Sequence, residues 1–292
     1  MKGLAEFVMR GRLQALLVVM LGAGSMLFCW ISAAVLALVS LRKGAGEGAW
    51  LMFWALLPAG TVLYVYGDSS PLALLVGAMA LALVLRSTVS LPLTVLGSSA
   101  VALVSALALL AFGSDFLAQL AGALGEFLAN LEEQLAAGGN EGVQLARPTA
   151  VQLAGLLGVG NGMMAMLCVL LARYWQAALY NPGGFGEEFR ALRYPATVGL
   201  GLAVGMIALA SLGMQYRTWA MIAVLPLAFA GLALIHARGA YRGWGSGTMA
   251  AFYVLWLLFD MVKLIVVSAA IADSWFDFRQ RWQQQDGEAP KE

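Results

Sequence analysis

Residues 88–112 read TVSLPLTVLGSSAVALVSALALLAF, a run of 25 residues without one charged side chain. The hydrocarbon core of a bilayer is about 30 Å thick, and a helix needs about 20 apolar residues to cross it. Within that core the backbone must satisfy its own hydrogen bonds, which favours a helix over an open strand. This stretch therefore predicts a transmembrane helix.

The rest of the chain has a similar composition. Its 292 residues are 61% hydrophobic and 11% charged, with a mean hydropathy of +0.82, whereas a soluble domain is about 45–50% apolar and about 25% charged. Further candidate spans are 13–41, 49–66, 71–85, 150–173, 196–214, 219–236 and 247–272. The sequence predicts an all-α polytopic transmembrane helical bundle of about seven to eight membrane segments, forming one integral membrane domain over residues 1–292.

Segment 13–41 is too long for one upright helix, and Gly22, Gly24 and Ser25 interrupt it. It either crosses once or folds back as a hairpin or re-entrant pair. In the hairpin alternative, eleven lysines and arginines lie inside and five outside, whereas a single span gives eight and eight. The inside set is Lys2, Arg10, Arg12, Arg42, Lys43, Arg86, Arg173, Arg190, Arg193, Arg238 and Arg242, and the outside set is Arg147, Arg217, Arg279, Arg281 and Lys291. Positive charge concentrates on the cytoplasmic side, so we expect a cytoplasmic N-terminus.

Three polar regions flank the spans. Residues 113–148 carry apolar side chains at helical spacing and more acidic than basic groups, which predicts an outer amphipathic helix ending at Gly138 and Gly139. This helix either covers the bundle or gates a cavity. Residues 174–195 form a cytoplasmic loop, and residues 277–292 form a polar C-terminal tail.

Asp260 and Lys263 are the charged residues within the last apolar segment. Each ionised group costs about 2.5–3.5 kcal/mol at a helix centre, and side chains three residues apart share a helix face. The two side chains are therefore candidates for a ligand or ion site, or for an internal ion pair that fixes helix rotation. Asn161 is a further candidate, as a hydrogen-bonding group across the bundle or toward a ligand.

Glycines four residues apart let helix backbones approach closely. Gly158 and Gly162 form one such pair and Gly201 and Gly205 form another, so the spacing predicts helix-packing contacts at both.

The sequence contains no common hydrolase, zinc-protease or nucleotide-binding motif, so we expect neither enzymatic activity nor a cofactor. Cys29 and Cys168 lie in apolar runs and are interpreted as buried thiols without a metal. The single histidine, His236, is interpreted as making a contact at the membrane interface. Arg86 is interpreted as part of a turn whose guanidinium lies near phosphate headgroups. The net charge of +1 disfavours nucleic acid as a partner.

The loop sequence ARYWQAALYNPGGFGEEFRALRYP, residues 172–195, is aromatic and of mixed charge, which suits either partner docking or an interfacial position. The candidate partner-loop residues are Asn181, Pro182, Phe185, Glu188, Phe189, Arg190 and Arg193. This stretch, with the apolar spans on both sides, resembles the bacterial inner-membrane family known as YybS-like or DUF2232. That family is distantly similar to the S components of energy-coupling-factor vitamin transporters. The resemblance implies a bundle of about six helices, a ligand pocket near the outer face and an ATP-driven partner.

Two functional hypotheses follow. In the first, the chain is a transporter-like or substrate-binding membrane protein, with Asp260, Lys263 and Asn161 facing the bundle interior and the cytoplasmic loop meeting a protein partner. In the second, it is a membrane scaffold or regulatory subunit without a small-molecule ligand. In that case Asp260 and Lys263 lock helix packing, and the loop recruits another subunit.

Overall fold

A computed structural model of the chain describes residues 2–139 and 142–287, and the regular structure in that part is helical. The helices are α1 (Lys2–Arg10), α2 (Arg12–Ala23), α3 (Cys29–Lys43), α4 (Ala45–Tyr66), α5 (Ser70–Thr88), α6 (Leu91–Phe112), α7 (Ser114–Ala137), α8 (Ala150–Tyr180), α9 (Gly184–Arg190), α10 (Ala196–Ser211), α11 (Arg217–Tyr241), α12 (Ser246–Leu258), α13 (Asp260–Phe276) and α14 (Phe278–Gly287). A 3-10 turn at Met214–Tyr216 precedes α11. The predicted all-helical fold class is confirmed.

Within the described residues, five helices are long and apolar enough to cross a membrane: α4, α5, α6, α8 and the continuous Met214–Tyr241 helix that includes α11. The pair α12 and α13 makes a sixth if it is taken as one span, although the two helices meet at 108°. These helices indicate a multi-pass membrane protein. Their number is below the seven to eight segments that the sequence predicted.

The difference arises where apolar runs are broken into shorter helices. Segment 13–41 divides at residues 24–28 into α2 and α3, of 12 and 15 residues. At 1.5 Å per residue these helices are only about 18 and 22 Å long. The helix α10 has 16 residues, and the last apolar run breaks at Phe259. An apolar residue count does not register such breaks, because a turn can be as apolar as a helix.

The two halves of segment 13–41 pack as a helical hairpin. Ser32 of α3 donates a hydrogen bond of 2.8 Å to the carbonyl oxygen of Val19 in α2. The hairpin turns beside the start of α5, where Cys29 Sγ lies 3.8 Å from the carbonyl oxygen of Pro71. Every residue from Ser32 to Leu41 is buried, so α3 occupies the centre of the bundle.

The contact between α6 and α8 depends on two glycines. A Cβ atom on Gly158 would lie 2.5 Å from the carbonyl oxygen of Ala102, and one on Gly162 would lie 2.6 Å from that of Ser98. This packing contact was predicted and is present. The second predicted contact is not formed, since a Cβ on Gly201 would meet no atom within 4 Å and one on Gly205 would only touch Ala223 at 4.0 Å. Gly201 is exposed, and Gly205 lies only at the edge of the contact between α10 and α11.

Most of the positive charge gathers at one end of the bundle, called here the arginine-rich end. The contacts that define it are the ion pair Arg12–Glu47, the 2.6 Å hydrogen bond from Arg86 to the Leu41 carbonyl, the Arg42 guanidinium 4.0 Å from the Tyr180 ring centroid, and the ion pair Arg193–Asp277. They join the starts of α2 and α4 to the ends of α3, α5, α8 and α13. The opposite end carries α7, Arg147 and Arg217.

The C-terminal helices return to the arginine-rich end. The hydroxyl of Tyr241 at the end of α11 donates a 2.8 Å hydrogen bond to the Trp282 carbonyl in α14, and α12 begins five residues after Tyr241. The start of α12 and the end of α13, which directly precedes α14, therefore both lie at the arginine-rich end. This arrangement is that of a re-entrant pair. The prediction that Arg279 and Arg281 lie on the other side of the membrane from Arg193 is therefore corrected. The chain bends back between α12 and α13 instead of crossing the membrane there. The rest of the polar tail, with Lys291, lies beyond the described residues.

The predicted amphipathic helix in loop 113–148 is α7, which is followed by Gly138 as expected. The loop then returns to α7, where Glu132 accepts hydrogen bonds from the Leu145 amide at 2.7 Å and from Arg147 at 3.2 Å. Asn140 and Glu141 lie outside the described residues. A capping box between Thr149 and Gln152 starts α8.

Candidate ligand cavity

A cavity of about 550 Å³ lies between α4, α5, α6 and α8, in the half of the bundle near α7. Its wall is mostly aliphatic, and the first turn of α7 contributes Phe116. The polar side chains of the wall are Ser69, Ser70, Ser105 and Asn161. A mainly apolar cavity with a few convergent polar groups is the usual form of a small-molecule site.

Asn161 is the polar group that α8 contributes to this wall. It is half-buried, and its Nδ2 donates a 2.7 Å hydrogen bond to Ser105 Oγ on α6. The close approach of α5 at this level depends on Gly77, because a Cβ there would lie 2.7 Å from Val101 Cγ1 and 3.8 Å from Asn161 Nδ2. Among the described residues, Asn161 Oδ1 has no hydrogen-bond donor, so this acceptor remains available to a ligand.

A second cavity of about 270 Å³ adjoins the first and shares Ser70, Leu157 and Asn161 with it. Asp68 and Cys29 also line it. Asp68 Oδ1 accepts a 2.8 Å hydrogen bond from the Ser70 amide in the turn between α4 and α5. Asn161 thus lies between two cavities, with a carboxylate at the rim of one of them.

Sequence reasoning missed Asp68, Ser70 and Ser105. The signal available for Ser105 was its position seven residues after Ser98, which places both hydroxyls on one face of an apolar helix. Asp68 and Ser70 carried no signal beyond that of an ordinary polar turn.

Asp260 and Lys263 do form an ion pair, with 2.7 Å between Lys263 Nζ and Asp260 Oδ1. Neither residue lines the two cavities that meet at Asn161. The Asp260 side chain is 94% exposed, because the 108° bend at Phe259 carries it to the outside of the bundle. The expectation that this pair faces the interior together with Asn161 is therefore corrected.

The structure packs most of the candidate partner loop against the chain itself. Phe185 contacts the rings of Tyr174 and Phe189, with centroids 6.1 and 6.0 Å apart, and Phe189 lies 5.4 Å from His236. Glu188 pairs with Arg173 at 2.7 Å, and Arg193 pairs with Asp277. Asn181 and Pro182 remain exposed, and Arg190 lines a separate cavity.

Two buried side chains fix the end of this loop. Leu192 and Tyr194 are 0% and 4% exposed, and the Tyr194 hydroxyl donates a 3.2 Å hydrogen bond to the Pro92 carbonyl at the start of α6. Burial raises the pKa of Tyr194 well above its ordinary value. The loop is therefore a fixed part of the arginine-rich end.

The remaining candidates have structural contacts. Arg86 donates a hydrogen bond to the Leu41 carbonyl in the last turn of α3. His236 Nε2 lies 2.7 Å from the Tyr253 hydroxyl, and this contact joins α11 to α12. Cys29 and Cys168 are buried free thiols. In the described residues no three potential metal-ligating side chains come together.

No protein-family model, curated protein or solved structure matches the chain.

Proposed function

We propose that the chain is a substrate-binding, transporter-like protein of the bacterial inner membrane, with its ligand site in the cavity at Asn161. The observation that carries the proposal is the 550 Å³ cavity with the Asn161 amide in its wall. Its volume lies in the range of about 300–1,000 Å³ that small-molecule sites occupy. The resemblance of residues 172–195 to the YybS-like family agrees with this proposal, since that family is similar to substrate-binding subunits.

The lining favours an amphiphilic ligand. Aliphatic side chains from α4, α5 and α6 suit an apolar body, and Asn161 Oδ1 suits a hydroxyl or N–H donor. Asp68 at the rim adds a negative charge, so the polar end of the ligand is neutral or cationic. An anionic ligand would meet repulsion there.

In this proposal the arginine-rich end lies in the cytoplasm, together with the N-terminus and the helix α14, and the positive-inside rule supports that orientation. The ligand cavity then opens in the outer half of the membrane, below α7. An energising protein partner would meet the cytoplasmic end, where Asn181 and Pro182 remain exposed.

The proposal is tested by purifying the chain in a mild detergent and identifying small molecules that co-purify by mass spectrometry. We expect one amphiphilic compound at a near-stoichiometric ratio. An Asn161→Ala variant loses it, whereas the matched control Asn130→Ala, an exposed asparagine on α7, retains it. Equal retention by both variants, or no compound in the wild type, would refute the proposed site.

A scaffold or regulatory role is the second candidate, and the exposed Asp260–Lys263 pair favours it. Charges on the outer, apolar face of α12 and α13 suit a protein neighbour better than lipid, because an ionised group in hydrocarbon is costly. This role predicts that proteins co-purifying with the wild type are lost from a variant carrying both Asp260→Leu and Lys263→Met. Ligand retention by the same variant would separate this role from that of the cavity.

A further inference from the structure

A cavity of about 530 Å³ lies at the arginine-rich end, on the far side of the bundle from α7. Three segments surround it: α9 with the residues after it, the last turn of α11, and α14. The side chains that give it chemical character are Glu187, Arg190, Arg193, Tyr241, Arg279 and Trp282. None of these residues lines the cavity at Asn161.

Two of the three arginines are held in place by the protein. Arg193 pairs with Asp277. Arg279 is largely buried, donates a 2.8 Å hydrogen bond to the Leu192 carbonyl and lies 3.6 Å from Asp273. Burial lowers the pKa of Arg279, the charge of Arg193 lowers it further, and the two aspartates raise it. The guanidinium groups of Arg193 and Arg279 are therefore fixed at the wall, with their charges largely offset by Asp277 and Asp273.

Arg190 differs, because no carboxylate of the described chain lies within 4.0 Å of its guanidinium group. Arg238, beside the cavity, likewise has no carboxylate within 4.0 Å among the described residues. Its guanidinium carbon lies 4.6 Å from the Trp282 ring centroid and 5.4 Å from that of Tyr241. The acidic side chain of the wall, Glu187, is exposed. The cavity therefore has an excess of guanidinium donors over carboxylate acceptors.

The position of the cavity indicates which anion it meets. Ala237, Ala240 and Tyr241 belong to the last turns of the membrane-spanning α11, so the cavity lies at the depth of the membrane surface. Phosphate groups are the anions concentrated there, and guanidinium groups bind phosphate oxygens in a bidentate geometry. The aromatic rings of Tyr241 and Trp282 are typical of this interfacial level.

We propose that this cavity binds a phosphate group, either in the headgroup of an anionic phospholipid or in a soluble phosphate ester. Arg190, which has no carboxylate partner, is its main ligand, while Arg193 and Arg279 line the site in fixed positions. The site is independent of the cavity at Asn161, so failure of one proposal leaves the other intact.

The test measures thermal unfolding of the full chain in a mild detergent by tryptophan fluorescence. Dioleoylphosphatidylglycerol, glycerol 3-phosphate and, as a control without a net anionic headgroup, dioleoylphosphatidylcholine are titrated separately. We expect a saturable stabilisation by at least one of the two anionic probes. Arg190→Gln weakens that binding about tenfold, the size expected for one charge-assisted interaction, and Arg190→Lys weakens it less. Arg217→Gln, an exposed arginine at the other end of α11, leaves it unchanged.

Stabilisation by the lipid alone identifies a headgroup site, and stabilisation by glycerol 3-phosphate identifies a site for soluble phosphate esters. If Arg190→Gln fails to fold, Glu187→Gln provides an independent test, because removing this exposed carboxylate should tighten binding several-fold. The proposal is overturned if neither anionic probe binds more tightly than phosphatidylcholine. It is also overturned if Arg190→Gln and Arg217→Gln weaken binding equally, or if Glu187→Gln has no effect.

Discussion

Arg193, near the end of loop 174–195, forms an ion pair with Asp277, the residue between α13 and α14. This contact joins the middle of the chain to its C-terminal region at one end of the bundle. Since an ion pair of this kind requires both groups on the same side of a membrane, it makes the sidedness of α14 a testable property.

The first prediction concerns that sidedness. In a variant whose buried cysteines, Cys29 and Cys168, are replaced by alanine, single cysteines are introduced as Gln284→Cys, Asn181→Cys and Gly122→Cys. A membrane-impermeant maleimide added to sealed vesicles should label positions 284 and 181 from the same side, and position 122 from the other. Labelling of 284 together with 122 would mean that α12 and α13 cross the membrane as one span.

The second prediction concerns the strength of the Arg193–Asp277 pair. Asp277 has a left-handed backbone with φ 44°, a conformation that asparagine tolerates, so Asp277→Asn removes the charge with little strain. Both side chains are about one-third exposed, at 33% and 30%, and solvent screens the pair. The loss should therefore be at most about 1 kcal/mol in the free energy of unfolding, measured by denaturant titration near neutral pH.

The same pair predicts a dependence on pH. Burial raises the pKa of Asp277, but the hydrogen bonds from Arg193 and the Gln280 amide, with the charges of Arg193 and Arg279, outweigh it and leave the pKa below the ordinary 3.8. The stabilisation is thus fully present above pH 3.8 and is lost as the pH falls through the lowered value. The difference in stability between wild type and Asp277→Asn should shrink in acid, and a constant difference would contradict this account.

The third prediction compares Gly158 and Gly201, each the first glycine of a pair spaced four residues apart. Gly158→Ala forces a methyl group toward the Ala102 carbonyl, and such overpacking typically costs about 1–3 kcal/mol. Gly201→Ala meets open space and should be neutral or stabilising by up to about 1 kcal/mol, because alanine is the better helix former. Unfolding titrations of both variants in one detergent measure the difference, and equal effects would argue against the close α6–α8 contact.

The fourth prediction concerns Asp260 and Lys263. The single substitution Asp260→Leu leaves the Lys263 ammonium without its partner and should lower the unfolding midpoint in lipid nanodiscs. Adding Lys263→Met removes that charge and should restore the midpoint to the wild-type value or above it, because well-packed apolar groups can replace an ion pair. If the double variant is less stable than the single one, the two charges do not act as a pair.

The amino-acid sequence determined that this is a helical membrane protein. Long uncharged runs such as 88–112 require hydrocarbon as their solvent, and in hydrocarbon a helix satisfies its backbone hydrogen bonds internally. It also determined the amphipathic helix α7 and the contact of Gly158 and Gly162, because both depend on local spacing. Local spacing does not specify how far a chain bends at Phe259 or which helix ends meet. Only the tertiary structure decided that α14 returns to Arg193, that Asp260 lies outside the bundle, and that Asn161 faces Ser105 beside a cavity. Those outcomes depend on packing between residues distant in sequence, whose contacts no single apolar run encodes.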